Sequence, residues 1–285
     1  MPTQGIVFAM NLVEKEARLR EVIAGYGSMG IAFSGGVDSS FLAAFAEQLL
    51  PGKVLLLTAH SPSFPESEAR AVAEFATQHG IRLHTVDTNE LAIKQYGENP
   101  PSRCFFCKTE MYSTLKPIAL AEGMAVLADG ANLDDKGDFR PGAKAAEQWD
   151  VMHPLQEAQM TKADIRELSR RMELPTWDKP AFACLASRIP YGEHINKEKL
   201  DRVGRAEAAI QGLGYRVFRV RSHGDLARLE LGAEELDRGF SEREAITGLL
   251  KKAGFLYVTL DLQGFRSGSM NEALQRAGIP ADPAE

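Results

Sequence analysis

The chain has 285 residues, 44% of them hydrophobic and 25% charged, with three cysteines. This is globular composition, long enough for one large domain or two modest ones, and it excludes a disordered chain, a collagen-like chain and a disulfide-stapled scaffold. The net charge of −6 is uneven: residues 1–185 carry 18 basic and 24 acidic side chains, and residues 186–285 carry 15 of each. A protein that grips tRNA or a duplex needs a basic footprint, so nucleic acid is disfavoured as a partner, although a local arginine cluster would suit one small phosphate. No apolar run approaches the ~20 residues of a membrane helix. Residues 1–16 lack the basic start and long apolar stretch of a secretory signal. An odd cysteine count in a chain of this size reads as a reducing compartment, and the expected location is the cytoplasm.

Taken in order, residues 12–24 place Leu12, Ala17, Leu19 and Ile23 among charges and predict a leading helix. A short apolar strand at 30–33 runs into Ser34-Gly35-Gly36-Val37-Asp38-Ser39-Ser40, followed by an Ala/Leu-rich helix over 41–50 that Pro51 and Gly52 stop. Residues 54–59 read as a buried strand, 66–78 as a helix, 82–86 as a strand, 105–121 as a helix, 125–128 as a strand and 162–172 as a helix. Strands alternating with helices predict a parallel sheet covered on both faces. The pattern changes near Ile189-Pro190-Tyr191-Gly192. A helix at 197–213, strands at 216–221 and 227–231, a helix at 242–253 and a strand at 256–260 predict a smaller α+β domain, with a late loop at 264–268. The expected division is residues 1–187 and 188–285.

The loop at 34–40 joins an apolar strand to a helix N-terminus, where glycines admit a ligand close to the backbone and orphan amides point at an anion. Ser34, Ser39 and Ser40 add hydroxyls. It is not a Walker A loop, because the closing Gly-Lys-Ser/Thr is missing. It resembles the pyrophosphate loop of the PP-loop ATP pyrophosphatases, a resemblance that implies an adenine nucleotide alpha hydrolase-like fold and cleavage of ATP to AMP and pyrophosphate. Asp129-Gly130-Ala131-Asn132-Leu133-Asp134-Asp135 follows a strand, at the carboxyl edge where such sheets bind ligands. The resemblance implies that this stretch faces ATP and its metal.

Cys104 and Cys107 stand at i, i+3, on one face of a helix that begins near Pro100 and Pro101, where thiolates are stabilised. Cys184 lies far along the chain. The pair alone reads as a redox dithiol or as half a zinc site, for which His153 or His194 would be the fourth ligand. On a PP-loop scaffold the three cysteines resemble those of cluster-dependent thiolases, which implies a 4Fe-4S cluster held by Cys104, Cys107 and Cys184, with the fourth iron open to a transferable sulfide.

Further segments resemble the LarE family: Phe139-Arg140-Pro141-Gly142, then Cys184 to Ser187 with Arg188-Ile189-Pro190-Tyr191-Gly192, Arg219-Val220-Arg221-Ser222-His223, Arg228-Leu229-Glu230, Thr259-Leu260-Asp261, and Gly264-Phe265-Arg266-Ser267-Gly268. The resemblance spans residues 31–271. It implies an ATP-dependent sulfurtransferase of nickel-pincer cofactor biosynthesis that adenylates the carboxylates of pyridinium-3,5-biscarboxylic acid mononucleotide and converts them to thiocarboxylates. Ala32, Ser34, Gly35, Gly36, Val37, Asp38, Ser39, Ser40, Ser61, Gly130 and Asn132 are then expected to bind ATP, with Asp38 as the acidic contact for Mg²⁺. Ser187, Arg188, Glu207, Arg219, Arg221 and Arg266 are expected to bind the nucleotide substrate. Alternation along a strand puts Arg219 and Arg221 on one face, which suits a shared anion. Arg188 is expected to orient the site beside Cys184. One form of LarE sacrifices a cysteine one position earlier, where this chain has Ala183 and where that form lacks the Cys-x-x-Cys pair; the departure favours the cluster-dependent variant.

Alternatives stay open at this point. A cluster-dependent tRNA thiolase shares the loop and the thiols, but the −6 charge argues against it. The same reaction by sacrifice of Cys184, a PP-loop amidotransferase using ammonia, and a non-enzymatic iron–sulfur scaffold are the others. Sulfide or another sulfur donor is an implied partner, and a homo-oligomer is the expected assembly.

Overall fold

The structure is a computed structural model and describes residues 10–137, 141–180, 183–266 and 268–276. The Phe139-Arg140 and Ser267 positions of the motifs above lie outside the described residues. In chain order the regular elements are α1 (Leu12–Tyr26), β1 (Met29–Ala32), α2 (Val37–Leu49), β2 (Val54–His60), α3 (Glu66–His79), β3 (Arg82–Asp87), α4 (Lys94–Gly97), α5 (Arg103–Ala121), β4 (Val126–Ala128), α6 (Gly142–Gln148), α7 (Pro154–Glu157) and α8 (Lys162–Arg171). The second half adds α9 (Lys197–Gly212), β5 (Phe218–His223), β6 (Leu226–Leu231), α10 (Leu236–Ser241), α11 (Arg243–Lys252), β7 (Tyr257–Leu260) and α12 (Asn271–Arg276).

β3, β2, β1 and β4 form, in that order, a four-stranded parallel sheet. Parallel strands are buried on both faces and so carry continuous apolar runs. Along β2 the side chains divide by the strand period: Val54 and Leu56 join a cluster with Leu19 and Ile23 of α1, Phe41 of α2, Phe75 of α3 and Ile165 of α8. Leu55 and Leu57 face the other way, onto Tyr112 and Leu115 of α5 and Ala145 of α6. The predicted α/β fold with a parallel sheet is what the chain adopts.

A second, smaller domain carries a mixed sheet of order β5-β6-β7, antiparallel then parallel. Its core gathers Leu200, Val203 and Ile210 of α9, Val220 and Leu229 of the sheet and Leu250 of α11. Tyr96, Leu185 and Ile189 complete that core, and Cys107 and Cys184 pack against it. The segment before the Cys-x-x-Cys pair is thus held by the second core rather than the first.

Caps set the helix starts. Asn11 and Glu14 form a capping box on α1, Thr161 and Asp164 form another on α8, and Asn196 accepts from the Lys199 amide on α9. α2 begins at Val37, four residues earlier than the Ala/Leu run suggests, with Gly36 as its cap. The serine-rich stretch 37–40 is therefore the first helical turn. β5 begins two residues later than expected, at Phe218; Arg216, before it, turns out to an exposed ion pair with Asp178 at 2.7 Å.

Leu56 is fully buried in a central strand. Leu56→Ala is expected to lower unfolding free energy by about 2–5 kcal/mol, the usual cost of a large core deletion, measured by chemical denaturation.

Candidate active site

The phosphate loop lies where β1 ends and α2 begins. Gly35 has a positive φ of 69°, which only glycine adopts without strain. Ser34 Oγ and Ser39 Oγ are 3.2 Å apart, and Ser39 also donates to the Gly36 carbonyl. Ser40 is buried with no partner for its hydroxyl. Gly130 presses against this turn: a Cβ there would stand 2.8 Å from the Ser39 amide nitrogen. The 129–132 loop and the 34–40 loop therefore meet.

Two lysines from distant segments flank the loop. Lys162 Nζ reaches Asp38 Oδ2 at 2.5 Å, while Asp38 Oδ1 is buried and unpartnered. Lys179 Nζ donates to the Gly35 carbonyl at 3.0 Å and to Glu68 at 2.6 Å. Sequence reasoning missed both, because they lie more than a hundred residues from the loop; the only signal was that the loop has no lysine of its own. Lys162 opens α8, and its amide donates to Asp134 Oδ2 at 2.8 Å.

Asp129 is buried and accepts from Tyr112 Oη and His153 Nδ1, each at 2.7 Å, and from the Ala131 amide at 3.0 Å. Burial alone would raise its pKa, but the His153 hydrogen bond, the Lys108 charge and the other donors hold it near about 2. His153 is thereby engaged beside the 129–132 loop. Asn132 is buried, its amide oxygen taken by the Asp134 amide at 2.9 Å.

Ser61 lies at the end of β2 and donates to Glu90 at 2.9 Å; Ser63 donates to the same carboxylate oxygen. The Ser63 carbonyl accepts the Leu185 amide at 3.0 Å, which brings the Cys184 turn to this edge. A cleft of about 1120 Å³ opens beside this edge, lined by Ser61 and by Lys179, which also bonds the Gly35 carbonyl, and by Arg188, Glu207 and Arg219.

Arg188 is buried and fully engaged. Its guanidinium makes a two-pronged contact with Glu207, both bonds 2.8 Å, and donates to the carbonyls of Ala183 (2.7 Å) and Cys184 (3.1 Å) and to Ser187 Oγ (2.7 Å). Glu207 Oε1 also accepts the Val220 amide at 3.0 Å. Arg221 is buried too, held by Glu230, the Ser187 carbonyl and Ser269. β5 and β6 pair Arg219 with Glu230 and Arg221 with Arg228, so Arg219 and Arg221 do share a face. They differ in access: Arg219 lines the cleft, whereas Arg221 braces the Ser187 turn from behind. Burial, then the neighbouring Arg188, lowers the Arg219 guanidinium to about 10. Its ring partner is Phe265, 4.9 Å away. Arg266 is more exposed and approaches Glu272 at 3.3 Å.

Cys104 and Cys107 lie in the first turns of α5, Cys104 exposed and Cys107 half-buried, and Cys184 precedes the short 3₁₀ turn Leu185–Arg188. None is disulfide-bonded. A position near a helix start predicts a lowered thiol pKa; for Cys107 the structure shows the reverse. Burial pushes it well up, and negative charge at Glu90, Cys184, Cys104 and Glu110 pushes the same way. The two other thiols therefore lie within electrostatic reach of Cys107. Among the described residues no three His, Cys, Asp or Glu side chains close into a ligating group. The chemistry of the donor set nonetheless fits a cationic iron–sulfur group, since thiolates crowded by carboxylates need positive charge between them. His194 packs instead on Gly97, whose Cβ would stand 2.9 Å from its ring.

Two outcomes follow. Asp129 has a depressed folded pKa, so its contribution of about 2 kcal/mol is present above pH ~4 and lost as pH falls toward 2; Asp129→Asn is expected to flatten the acid limb of stability against pH. Arg188→Ala strands a partly buried carboxylate and three acceptors, and is expected to cost about 3–5 kcal/mol in denaturant titrations.

The asparagine synthase family model matches residues 21–99, the stretch that holds the phosphate loop and the first three strands. A pyridinium-3,5-bisthiocarboxylic acid mononucleotide synthase of Lactiplantibacillus plantarum is 33% identical over 94% of this chain and 98% of its own length. An uncharacterised protein of Synechocystis sp. is 44% identical over 93% of this chain and all of its own. An uncharacterised protein of Methanocaldococcus jannaschii is 25% identical over 92% of this chain. No helix among the described residues is long and apolar enough to cross a membrane. With a parallel sheet, a glycine–serine loop at its carboxyl edge and a near full-length relative of this kind, the chain belongs to the LarE family of PP-loop proteins.

Proposed function

We propose that this protein is an ATP-dependent sulfur insertase that converts the carboxylates of pyridinium-3,5-biscarboxylic acid mononucleotide into thiocarboxylates. The observation that carries the reading is the cleft, which runs from the phosphate-loop lysine Lys179 to Arg188, Glu207 and Arg219, with Leu185 of the Cys184 turn in its wall. At about 1120 Å³ it is as large as the roomiest single-ligand pockets, which suits ATP and a mononucleotide side by side. The Lactiplantibacillus plantarum relative is a synthase of pyridinium-3,5-bisthiocarboxylic acid mononucleotide, which supports a thiocarboxylate nucleotide as product and so a biscarboxylate nucleotide as substrate.

A carboxylate is a poor electrophile and must be activated. Its oxygen attacks the α-phosphorus of ATP, the bond to the β-phosphate oxygen breaks, and pyrophosphate leaves. The amides at the start of α2 and the hydroxyls of Ser34, Ser39 and Ser40 receive that anion. Lys162 and Lys179 supply the positive charge that the loop itself lacks. Asp38 Oδ1, buried without a partner, is the oxygen for Mg²⁺, a hard cation that prefers carboxylates. Sulfur then attacks the acyl carbon of the adenylate, and AMP departs.

Cys104, Cys107 and Cys184 would hold a 4Fe-4S cluster, which supplies the sulfur when bound. Arg188 fixes the Cys184 turn through two carbonyls, and Arg219 is the cleft arginine for the mononucleotide phosphate. Arg221 acts from behind as a positioning residue, and Glu207, although it lines the cleft, does the same, since both its oxygens are engaged by Arg188 and the Val220 amide.

The test is anaerobic reconstitution with iron and sulfide, followed by ATP, Mg²⁺ and the biscarboxylate nucleotide. The expected result is a brown protein, AMP, pyrophosphate, and a product heavier by exchange of oxygen for sulfur. Cys104→Ala should lose both the cluster absorption and turnover. A Cys104→Ala protein that turns over while Cys184 loses its sulfur by mass would replace this route with the sacrificial one, and thiolation of tRNA in place of the nucleotide would overturn the substrate. Lys179→Met is expected to raise the KM for ATP by about tenfold, the loss of one charge-assisted contact.

A further inference from the structure

Asn99 is buried with a positive φ of 54°, a conformation that non-glycine residues adopt rarely and asparagine tolerates best. Every polar atom of its side chain is used. Nδ2 donates to the carbonyls of Ile189 (3.2 Å), Pro190 (2.7 Å) and Glu193 (3.2 Å), and Oδ1 accepts from Arg103 Nη1 at 2.7 Å. Its own carbonyl accepts the Gly192 amide at 2.9 Å, and two residues earlier the Gly97 carbonyl accepts the Ile195 amide at 2.8 Å. Arg103, the residue before Cys104, is buried and stacks over Tyr191 at 4.9 Å.

These bonds tie two segments that lie 90 residues apart in the chain. One ends in Cys104 and Cys107; the other begins after Cys184 and Arg188. We propose that Asn99 is the positioning residue that sets where the Cys-x-x-Cys pair stands relative to Cys184. The argument is geometric. α5 is helical from Arg103 onward, and both cysteines lie in its first turns, so the placement of its N-terminus fixes how the pair is presented. That N-terminus is held by Arg103 on Asn99, and Asn99 holds three carbonyls of the 189–193 loop. A site built from two segments needs such a support, since misplacement by about 1 Å can cost on the order of a hundredfold in an oriented reaction. The proposal rests on the reading of the three thiols as one site.

The experiment uses the full chain without metal, reduced, and a bimane reagent that fluoresces only after both its arms have alkylated thiols. In a Cys104→Ser background the bridge must join Cys107 to Cys184; in a Cys184→Ser background it must join Cys104 to Cys107, within one helix. Three substitutions separate the causes. Asn99→Gly relieves the positive φ but removes the side chain. Asn99→Asp keeps the shape but turns an acceptor toward three carbonyls, and Asn99→Ala removes the side chain and keeps the strain. All three are expected to slow Cys107–Cys184 bridging by about tenfold or more, with the within-helix bridge and ATP binding unchanged. Unaltered Cys107–Cys184 bridging in Asn99→Gly and Asn99→Asp would overturn the proposal, as would equal losses in both backgrounds. If bridging responds as expected but the unsubstituted chain takes up no iron on reconstitution, the clamp stands and the cluster reading fails.

Discussion

The guanidinium of Arg188 is where the two halves of the candidate site are joined. It is buried, and a buried cation is expensive unless its hydrogen-bonding groups are met. Glu207 meets it from α9 with both oxygens, and the same carboxylate takes the Val220 amide of β5. On its other side Arg188 holds the carbonyls that flank Cys184. The cysteine turn, the longest helix of the second domain and the sheet edge that carries Arg219 are thus fixed by one side chain. Lysine could not replace it, because a point charge has no planar fork for two carbonyls and a carboxylate together.

Electrostatics divides the cleft. At the phosphate end the loop offers amides, hydroxyls and two lysines already paired with Asp38 and Glu68. At the far end Arg188, Arg219 and Arg221 crowd one another, with Glu207 and Glu230 between them. Around Cys107 the balance is the opposite, with carboxylates and thiols and burial all opposing negative charge. The loop and the arginine cluster present donors, whereas the surroundings of Cys107 oppose a thiolate.

Much of this was legible in the sequence. The alternating strands and helices gave the parallel sheet, and the Gly-Ser loop lies at the carboxyl edge of β1 as its spacing implies. The contact between Gly130 and Ser39 also follows from two motifs that each end a strand. What periodicity could not show was which polar side chains are consumed internally. Arg188, Glu207 and Arg221 read as ligand contacts because arginine and glutamate mark such sites, yet their partners lie on other elements and leave few atoms for a ligand. Lys162 and Lys179 were invisible for the converse reason: each sits in an ordinary helix or loop, and only folding brings it to the phosphate turn. The Cys107 environment was misjudged because helix position is local, whereas the burial that dominates comes from Tyr96 and the second core.

The stitching of residues 97–103 to residues 189–195 has a consequence for biogenesis. A ribosome that has released only the first half of the chain has produced the Cys-x-x-Cys pair on a helix with nothing to close it. The contacts that set its neighbourhood have a long loop to traverse and form late, as non-local contacts do. During synthesis the chain therefore exposes a simple dithiol, open to oxidation or to stray metal, and the contacts that enclose it exist only after residues 189–195 have folded onto residues 97–103. Translation order itself leaves the pair uncovered until the rest of the protein is there to enclose it.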